Sequence, residues 1–500
     1  MYDIAIVGGG INGIGIANDA AGRGLKVLLV EQNDLASATS SWSSKLIHGG
    51  LRYLEHYEFR LVKEALAERD VLLKKAPHII KPLEFVLPHN PSMRPTWMLK
   101  AGLWMYDHLN FNIHKKSALP RSHALNLTNW KQNPLLGQYT KGFSYSDCFV
   151  DDSRLVVLNA VQARDKGAVI KTYSQCTSAQ ANNDGTWSIS YEDKSTGTTS
   201  TADAKVLVNA SGPWVQSFIE DKLQLESPRK IRLIKGSHII VPKIHDGDEA
   251  FILQNDDNRI VFVIPYRGMS LVGTTDRPHK ASPDTVEIDD FEVEYLLNTI
   301  NQYFQVKRTR ADIKFTYSGV RPLCDDESSD PSAVTRDYTL TLSADPAPIL
   351  NIFGGKLTTY RKLSEAAMKK IEHLFPQAHG PWTAHAILPG GELQRDDLRA
   401  SLKRQYAWLP DAMLERFVTS YGTLSFKILG EAKSLEDLGE HLFSTLYQAE
   451  IEYLKEYEFA QTAEDILWRR SKLCYELDGI NKHEIIAKIN SLLAQKVQIA

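Results

Sequence analysis

Three glycines, Gly8, Gly10 and Gly13, stand in the run Gly8-Gly9-Gly10-Ile11-Asn12-Gly13, directly after the apolar run Ile4-Ala5-Ile6-Val7. Glu31 closes the next apolar run, Val27-Leu28-Leu29-Val30. This spacing can hold a pyrophosphate. Gly8 permits a tight turn, Gly10 lets the backbone approach the phosphates, and Gly13 lets helix and strand pack closely. The helix that follows offers amides and the positive end of its dipole. Glu31 would bond ribose hydroxyls. The alternative, a glycine-rich turn with no ligand, is outweighed because strand, helix, Ala17 and Glu31 all stand where a dinucleotide site needs them. The pattern does not choose FAD over NAD. Two more stretches offer polar groups to such a cofactor: the hydroxyl-rich segment 37–44 with Gly49-Gly50, and Gly354-Gly355 after the apolar run ending at Phe353. A loop capping a helix and a plain strand-to-helix turn are their ordinary readings. A helix over 357–371 would point its N-terminus at negative charge, as a reduced flavin requires at its N1/O2 edge.

Five segments together carry a family resemblance. They are Thr39-Ser40-Ser41-Trp42-Ser43-Ser44-Lys45-Leu46-Ile47-His48-Gly49-Gly50-Leu51-Arg52-Tyr53-Leu54, Asn209-Ala210-Ser211-Gly212-Pro213-Trp214, Lys235-Gly236-Ser237-His238, Tyr317-Ser318-Gly319-Val320-Arg321-Pro322-Leu323 and Phe353-Gly354-Gly355-Lys356-Leu357-Thr358-Thr359-Tyr360-Arg361. Spread over nearly the whole chain, they resemble the FAD-dependent glycerol-3-phosphate dehydrogenases. Ser211 replaces a threonine frequent in that family and keeps the hydroxyl. The resemblance implies an α/β fold of D-amino-acid-oxidase type: a Rossmann-like FAD-binding domain, an inserted substrate domain and a C-terminal helical domain. It also implies FAD as cofactor, glycerol 3-phosphate as substrate and, in respiratory members, a quinone as acceptor. Cofactor contacts are implied for Gly8, Gly10, Gly13, Glu31, Ser40, Ser44, Lys45, Leu46, Gly49, Gly212, Gly354, Gly355, Lys356, Leu357 and Thr358.

Oxidising a secondary alcohol at a flavin requires a C–H aimed at N5, a base for the hydroxyl proton and a grip on the rest of the substrate. Phosphate is that grip. Planar guanidinium groups bind it bidentately. Arg52, Arg321 and Arg336 are the arginines to which the resemblance gives this work, against the ordinary reading of a solvated surface charge. Lys356 follows the second glycine of its turn, beside flavin or substrate, and Tyr53 can position a hydroxyl. Arg321 and Lys356 count as catalytic residues as well as substrate contacts. For the base, His238 is favoured over His48, which contacts the flavin ring instead; of the side chains, an imidazole has the unperturbed pKa closest to neutral. The competing reading of His238 is a structural histidine inside a strand. No metal pattern is present.

Positioning these residues takes a βαβ unit at the N-terminus and later buried strands at 206–208, 260–264 and 349–353. Their spacing predicts a nucleotide-binding domain assembled from separated segments, about 1–80, 140–215 and 318–388, with substrate segments between them. The oxidoreductase region runs over 1–388 and the helical domain over 389–500. In the latter, the charged stretches 435–457 and 462–477 are expected as long amphipathic helices.

The run Arg94-Pro95-Thr96-Trp97-Met98-Leu99-Lys100-Ala101-Gly102-Leu103-Trp104-Met105-Tyr106 is apolar, Trp-rich and basic. It is read either as a monotopic membrane-surface segment or as a buried helix of the substrate domain. With no apolar run of about 18 residues and no leader pattern, the chain is expected to be cytoplasmic and peripheral on the inner membrane's cytoplasmic face. Four scattered cysteines and a net charge of −3 over 500 residues argue against a dithiol site and against sequence-independent nucleic-acid binding. Three rival functions are an oxidase using O2, an NAD-dependent dehydrogenase and a non-catalytic flavin-binding membrane sensor. A homodimer is compatible with all of them.

Overall fold

The computed structural model describes the chain except for residues 52, 53, 55, 56, 90–94, 110–118, 258, 325–336 and 496–500. Tyr2–Val7, Val27–Val30, Val169–Lys171, Thr198–Asn209 and Ile349–Phe353 lie parallel, in the order 349–353, 198–209, 2–7, 27–30, 169–171. The stretches 4–7, 27–30, 206–208 and 349–353 are buried and mostly Val, Ile and Leu, as a parallel sheet covered on both faces demands. Thr339–Ser343 closes one edge antiparallel, and the hairpin Ser174–Ala181/Trp187–Asp193 extends Thr198–Asn209 beyond the sheet. The first helix, Ile11–Gly22, is apolar nearly all round and buried along its length. It packs between Asp152–Asp165 and Tyr360–Ile371, as such a helix must. This sheet is therefore built from segments far apart in the sequence.

Among the described residues a second, ten-stranded sheet stands beside the first. Its long strand Ile231–Pro242 pairs with Phe315–Cys324 on one side and with Met269–Gly273 and Arg277–His279 on the other. That register sets His238 opposite Tyr317 and Ile234 opposite Arg321, so segments far apart in sequence share one surface. Asp290–Tyr303 backs the sheet, started by a reciprocal capping box between Asp289 and Glu292.

Past Pro389-Gly390-Gly391 the chain becomes mainly helical, with Arg395–Gln405, Asp411–Ser420, Gln448–Tyr457 and Lys482–Ala494. Two expectations are corrected. Over 435–457 the chain makes a short turn and a β-hairpin, His441–Phe443 with Leu446–Tyr447, before the helix Gln448–Tyr457. Over 462–477 it makes Asp465–Arg470 and Leu473–Glu476, interrupted at Lys472 with φ 61°. The reason is burial of charge. Arg416 pairs with Glu450, Arg154 with Glu458, and Arg470 with Asp34, all inside the protein. Residues read as a solvated polar face are turned inward, so no single amphipathic face governs these stretches.

Candidate active site

Four adjacent parallel strands end at one crevice. Val7 and Gly8, Val30 and Glu31, Ala210 and Ser211, and Gly354 all line a cavity of ≈ 690 Å³ at the strands' carboxyl ends, where open α/β sheets take their ligands. Gly8 has φ 113°, and a Cβ there would stand 2.4 Å from the Ala210 oxygen; one on Gly13 would stand 2.0 Å from the Gly8 oxygen. Gly13 is therefore a packing residue, while Gly10 faces the cavity as the N-cap of Ile11–Gly22 and brings no capping side chain to that helix. An anionic group fits such a helix end. Glu31 accepts from Gly9 N (2.6 Å) and Asn33 N (2.8 Å). Burial pushes its carboxyl pKa up, and a ribose hydroxyl donating to it would oppose that rise. Backbone room at the glycine turn, an acid at the second strand end and hydroxyls along 37–44 fit an FAD.

The segment 36–46 forms one wall: Ser37, Ser40, Ser43, Ser44 and Leu46 all line the cavity. Ser40 Oγ accepts from the Ile11 amide at 3.0 Å. Three residues expected to touch the cofactor do not line the cavity: the packing residue Gly13, and Lys45 and Gly49. Lys45 turns its ammonium away onto Asp152, 3.0 Å from each carboxylate oxygen, and onto the Ser41 oxygen at 3.0 Å. Its φ of 58° swings the side chain to the back of the loop. Gly49 is buried and donates its amide to Tyr106 Oη at 2.8 Å; the neighbouring Gly50 is the one that lines the cavity.

On the opposite wall, Gly212, Gly354, Gly355, Lys356, Leu357 and Thr358 line the cavity together. The helix expected from residue 357 begins at Tyr360. Gly354 and Gly355, with φ 78° and 108°, lead into a turn closed by Thr359 N on the Lys356 oxygen at 3.2 Å. The helix N-terminus therefore lies behind Lys356–Thr358 rather than directly after the glycines.

The second sheet supplies the polar chemistry. His238 is buried, its Nε2 2.9 Å from Ser44 Oγ and its ring stacked on Tyr317 with centroids 4.6 Å apart. Burial foremost, then the charges of Lys45 and Arg321, hold its pKa well below the ordinary histidine value. The imidazole is accordingly neutral at physiological pH. His48 also lines the cavity, its amide 3.4 Å from Thr358 Oγ1. Arg321 pairs through Nη1 with Asp276 at 2.8 Å, and Nη2 donates to Thr274 Oγ1 and the Thr275 oxygen at 3.3 and 3.2 Å. An apolar side is built from Ile252, Ile260 and Phe262.

Arg52, Tyr53 and Arg336 lie outside the described residues. Sequence reasoning passed over Asp276 and Thr274, which hold Arg321, and Asp152, which holds Lys45. The run Gly273-Thr274-Thr275-Asp276 after an apolar strand repeats the strand-then-polar pattern of the other cavity segments, so a signal existed for two of the three.

The stretch with two readings forms the helix Thr96–His108. Leu103 and Tyr106 are its buried residues, whereas Trp97 and Trp104 are 70% and 64% exposed. It is half-sided, not a buried core helix. No helix among the described residues is long and apolar enough to cross a membrane.

Residues 3–361 match the FAD dependent oxidoreductase family, and residues 381–499 match the C-terminal domain of alpha-glycerophosphate oxidase. The chain is 52% identical over 504 residues to the aerobic glycerol-3-phosphate dehydrogenase of Escherichia coli, covering 100% of this chain and 99% of that protein. It is 49% identical over 476 residues to the D-erythritol 1-phosphate dehydrogenase of Brucella abortus, covering 94% of each. In structure it resembles the glycerol-3-phosphate dehydrogenase of Bacillus halodurans complexed with FAD, with a TM-score of 0.77 and 25% identity, covering 99% of this chain and 92% of that one.

Proposed function

Since the chain belongs to the FAD-dependent oxidoreductase family and carries that family's glycerophosphate-oxidase type of C-terminal domain, we propose that it oxidises sn-glycerol 3-phosphate to dihydroxyacetone phosphate and passes the electrons to a membrane quinone. In this reading residues 1–388 are the oxidoreductase region and 389–500 the appended domain. The observation that carries the proposal is a single cavity in which the dinucleotide turn, Arg321, Lys356 and the Ser44–His238 pair all meet.

When bound, FAD supplies the acceptor for the hydride leaving C2 of the alcohol. Arg321, oriented by Asp276 and Thr274, grips the phosphate, with Lys356 adding charge from the opposite wall. The family resemblance gives Arg52, Tyr53 and Arg336, which lie outside the described residues, a share in the same grip. A remote phosphate held this way fixes the reacting carbon without being uniform binding alone, because misplacement of the C–H by about 1 Å can cost a hundredfold in rate. The hydroxyl proton leaves to the Ser44–His238 pair, whose Oγ and Nε2 are 2.9 Å apart in residues that both line the cavity. A neutral imidazole is ready to accept, and an arriving phosphate dianion opposes the positive charges of Lys45 and Arg321 that hold its pKa down. Ile252, Ile260 and Phe262 exclude water from the reacting face.

Electron delivery to quinone follows from the family resemblance, and attachment to the membrane surface is supported by the exposed Trp97 and Trp104 of a half-sided helix. Indole rings prefer the headgroup region, which gives the protein a peripheral, monotopic seat on the cytoplasmic face.

Anaerobic mixing of the purified flavoprotein with glycerol 3-phosphate is expected to bleach the flavin without a nicotinamide, and a quinone analogue to restore the colour faster than air does. Failure of glycerol 3-phosphate to bleach it, or faster bleaching by D-erythritol 1-phosphate, would overturn the substrate assignment. Faster recovery in air, with peroxide formed, would make the protein an oxidase.

A further inference from the structure

The segment 31–45 has two sides. Its front, including Gln32, Asn33, Ser37 and Ser40, lines the cavity. Its back is held by residues from the far end of the chain. Asp34 is buried, and its carboxylate takes both arms of Arg470, Nη1 to Oδ2 at 2.6 Å and Nη2 to Oδ1 at 2.7 Å, together with Nε of Arg469. Asp34 lies three residues past Glu31, and two residues beyond it the Ala36 amide donates to the Gly9 oxygen at 3.2 Å. The same carboxylate therefore anchors the piece of chain that joins the ribose-binding end to the glycine turn.

A second anchor lies a few residues on. Asp152 accepts from Ser43 Oγ at 2.7 Å and from Lys45 Nζ at 3.0 Å, and Lys472 Nζ stands 3.8 Å away from it and 3.7 Å from Asp151. Ser153 Oγ donates to the Arg469 oxygen at 2.8 Å, and Trp468 meets Trp42 edge-on with centroids 6.4 Å apart. None of residues 466–473 lines the cavity. Trp468 touches Trp42, which does, and Asp34 and Asp152 link the rest to the segment 31–45 whose front does.

We propose that Arg469, Arg470 and Lys472 are positioning residues for FAD, so that seating of the cofactor and docking of the segment 466–473 form one coupled equilibrium. Buried ion pairs contribute little net stability but demand one geometry, since a charge left without its partner in the interior is costly. Asp34 can keep its two arginines only with 31–40 in the conformation seen here, and that conformation is the one that presents its front to the cofactor. Coupling of this kind is reciprocal: what the C-terminal segment does for FAD, FAD does for the segment. The inference rests on the family's cofactor and not on the choice of substrate, so it stands or falls separately from the reaction proposed above.

Hydrogen exchange on the full-length protein, with FAD bound and after its removal, tests this directly. Amides of 466–473 are expected to exchange about tenfold more slowly with FAD present, a coupling within the usual range. Arg470→Lys keeps the charge but removes the fork on Asp34, and Lys472→Met removes the charge facing Asp151 and Asp152. Each is expected to weaken FAD binding by about tenfold, read from the fluorescence of released flavin, with the circular dichroism of the fold unchanged. FAD affinity within about twofold of the parent in both variants, or exchange at 466–473 indifferent to FAD, overturns the proposal. If Arg470→Lys does not fold, the exchange measurement on the unaltered chain decides alone.

Discussion

Gly236 offers a way to move Arg321 without touching it. A Cβ built on Gly236 would stand 2.4 Å from Arg321 Nη2 and 2.5 Å from Thr274 Oγ1, whereas an ordinary contact begins at 3.4 Å. In Gly236→Ala the guanidinium must therefore retreat by about 1 Å, the difference between those two distances. The two closest atoms are the far end of a flexible side chain and a hydroxyl, the Thr275 backbone oxygen at 3.2 Å need give only a few tenths of an ångström, and the backbone at Gly236 is not left-handed, so the fold loses little, about 1 kcal/mol. Catalysis loses more. A 1 Å error in an anchoring group can cost about a hundredfold, which corresponds to about 2.7 kcal/mol of transition-state stabilisation. Stopped-flow flavin reduction by glycerol 3-phosphate is the assay, with flavin content and thermal midpoint measured alongside. The expected variant holds FAD, melts within a few degrees of the parent and has kcat/KM lowered about a hundredfold. In an Arg321→Ala background the same methyl should add little, because its effect runs through the arginine. Parental reduction kinetics in Gly236→Ala would refute the placement of the phosphate at Arg321. An equal loss in both backgrounds would show that the methyl acts on something else.

Two further perturbations reach beyond the cavity. Replacing Trp97 and Trp104 with serine removes the large exposed apolar surface of Thr96–His108; at about 2 kcal/mol per indole, binding to anionic vesicles should weaken by about a hundredfold or more, and unchanged sedimentation with vesicles would refute the membrane seat. Lys75 is buried and donates to the Thr383 and Ala386 oxygens at 3.1 and 3.0 Å; burial first, then the charge of Arg361, lowers its pKa to about 7. Between that value and the ordinary 10.5 the unfolded chain binds more protons than the folded one, so raising the pH stabilises the fold, by up to about 1.4 kcal/mol per pH unit from this group. The thermal midpoint of the parent, taken relative to Lys75→Met, should accordingly rise from pH 7 to pH 9, and a difference that stays flat would mean Lys75 keeps its proton throughout.

Much of the cofactor side was legible before any coordinates. Gly8, Gly10 and Glu31 are neighbours through one short βαβ unit, and local steric rules read such a unit directly. The run Ile349–Phe353 and its glycine pair were equally readable, although the helix after them begins later because two left-handed residues and a turn intervene. His238 and Arg321 were found as residues, by resemblance, but their meeting was not. It depends on Ile231–Pro242 pairing with Phe315–Cys324, and neither strand announces its partner.

Lys45 shows where sequence reasoning stops. In the motif it sits between Ser44 and Leu46, both of which line the cavity, yet one positive φ sends its ammonium to Asp152 at the back of the loop. Glycine spacing and the change of composition after Pro389 pointed to a dinucleotide site and an appended helical domain, because those features depend on contacts short in sequence, whereas FAD and the layered architecture came from the family resemblance. Only the tertiary structure decided that Asp34 pairs with Arg470 and that Asp276 holds Arg321. Among 58 basic and 61 acidic side chains, every such pairing is chemically equivalent until burial removes the water that would otherwise serve each charge, and burial is a property of the whole fold.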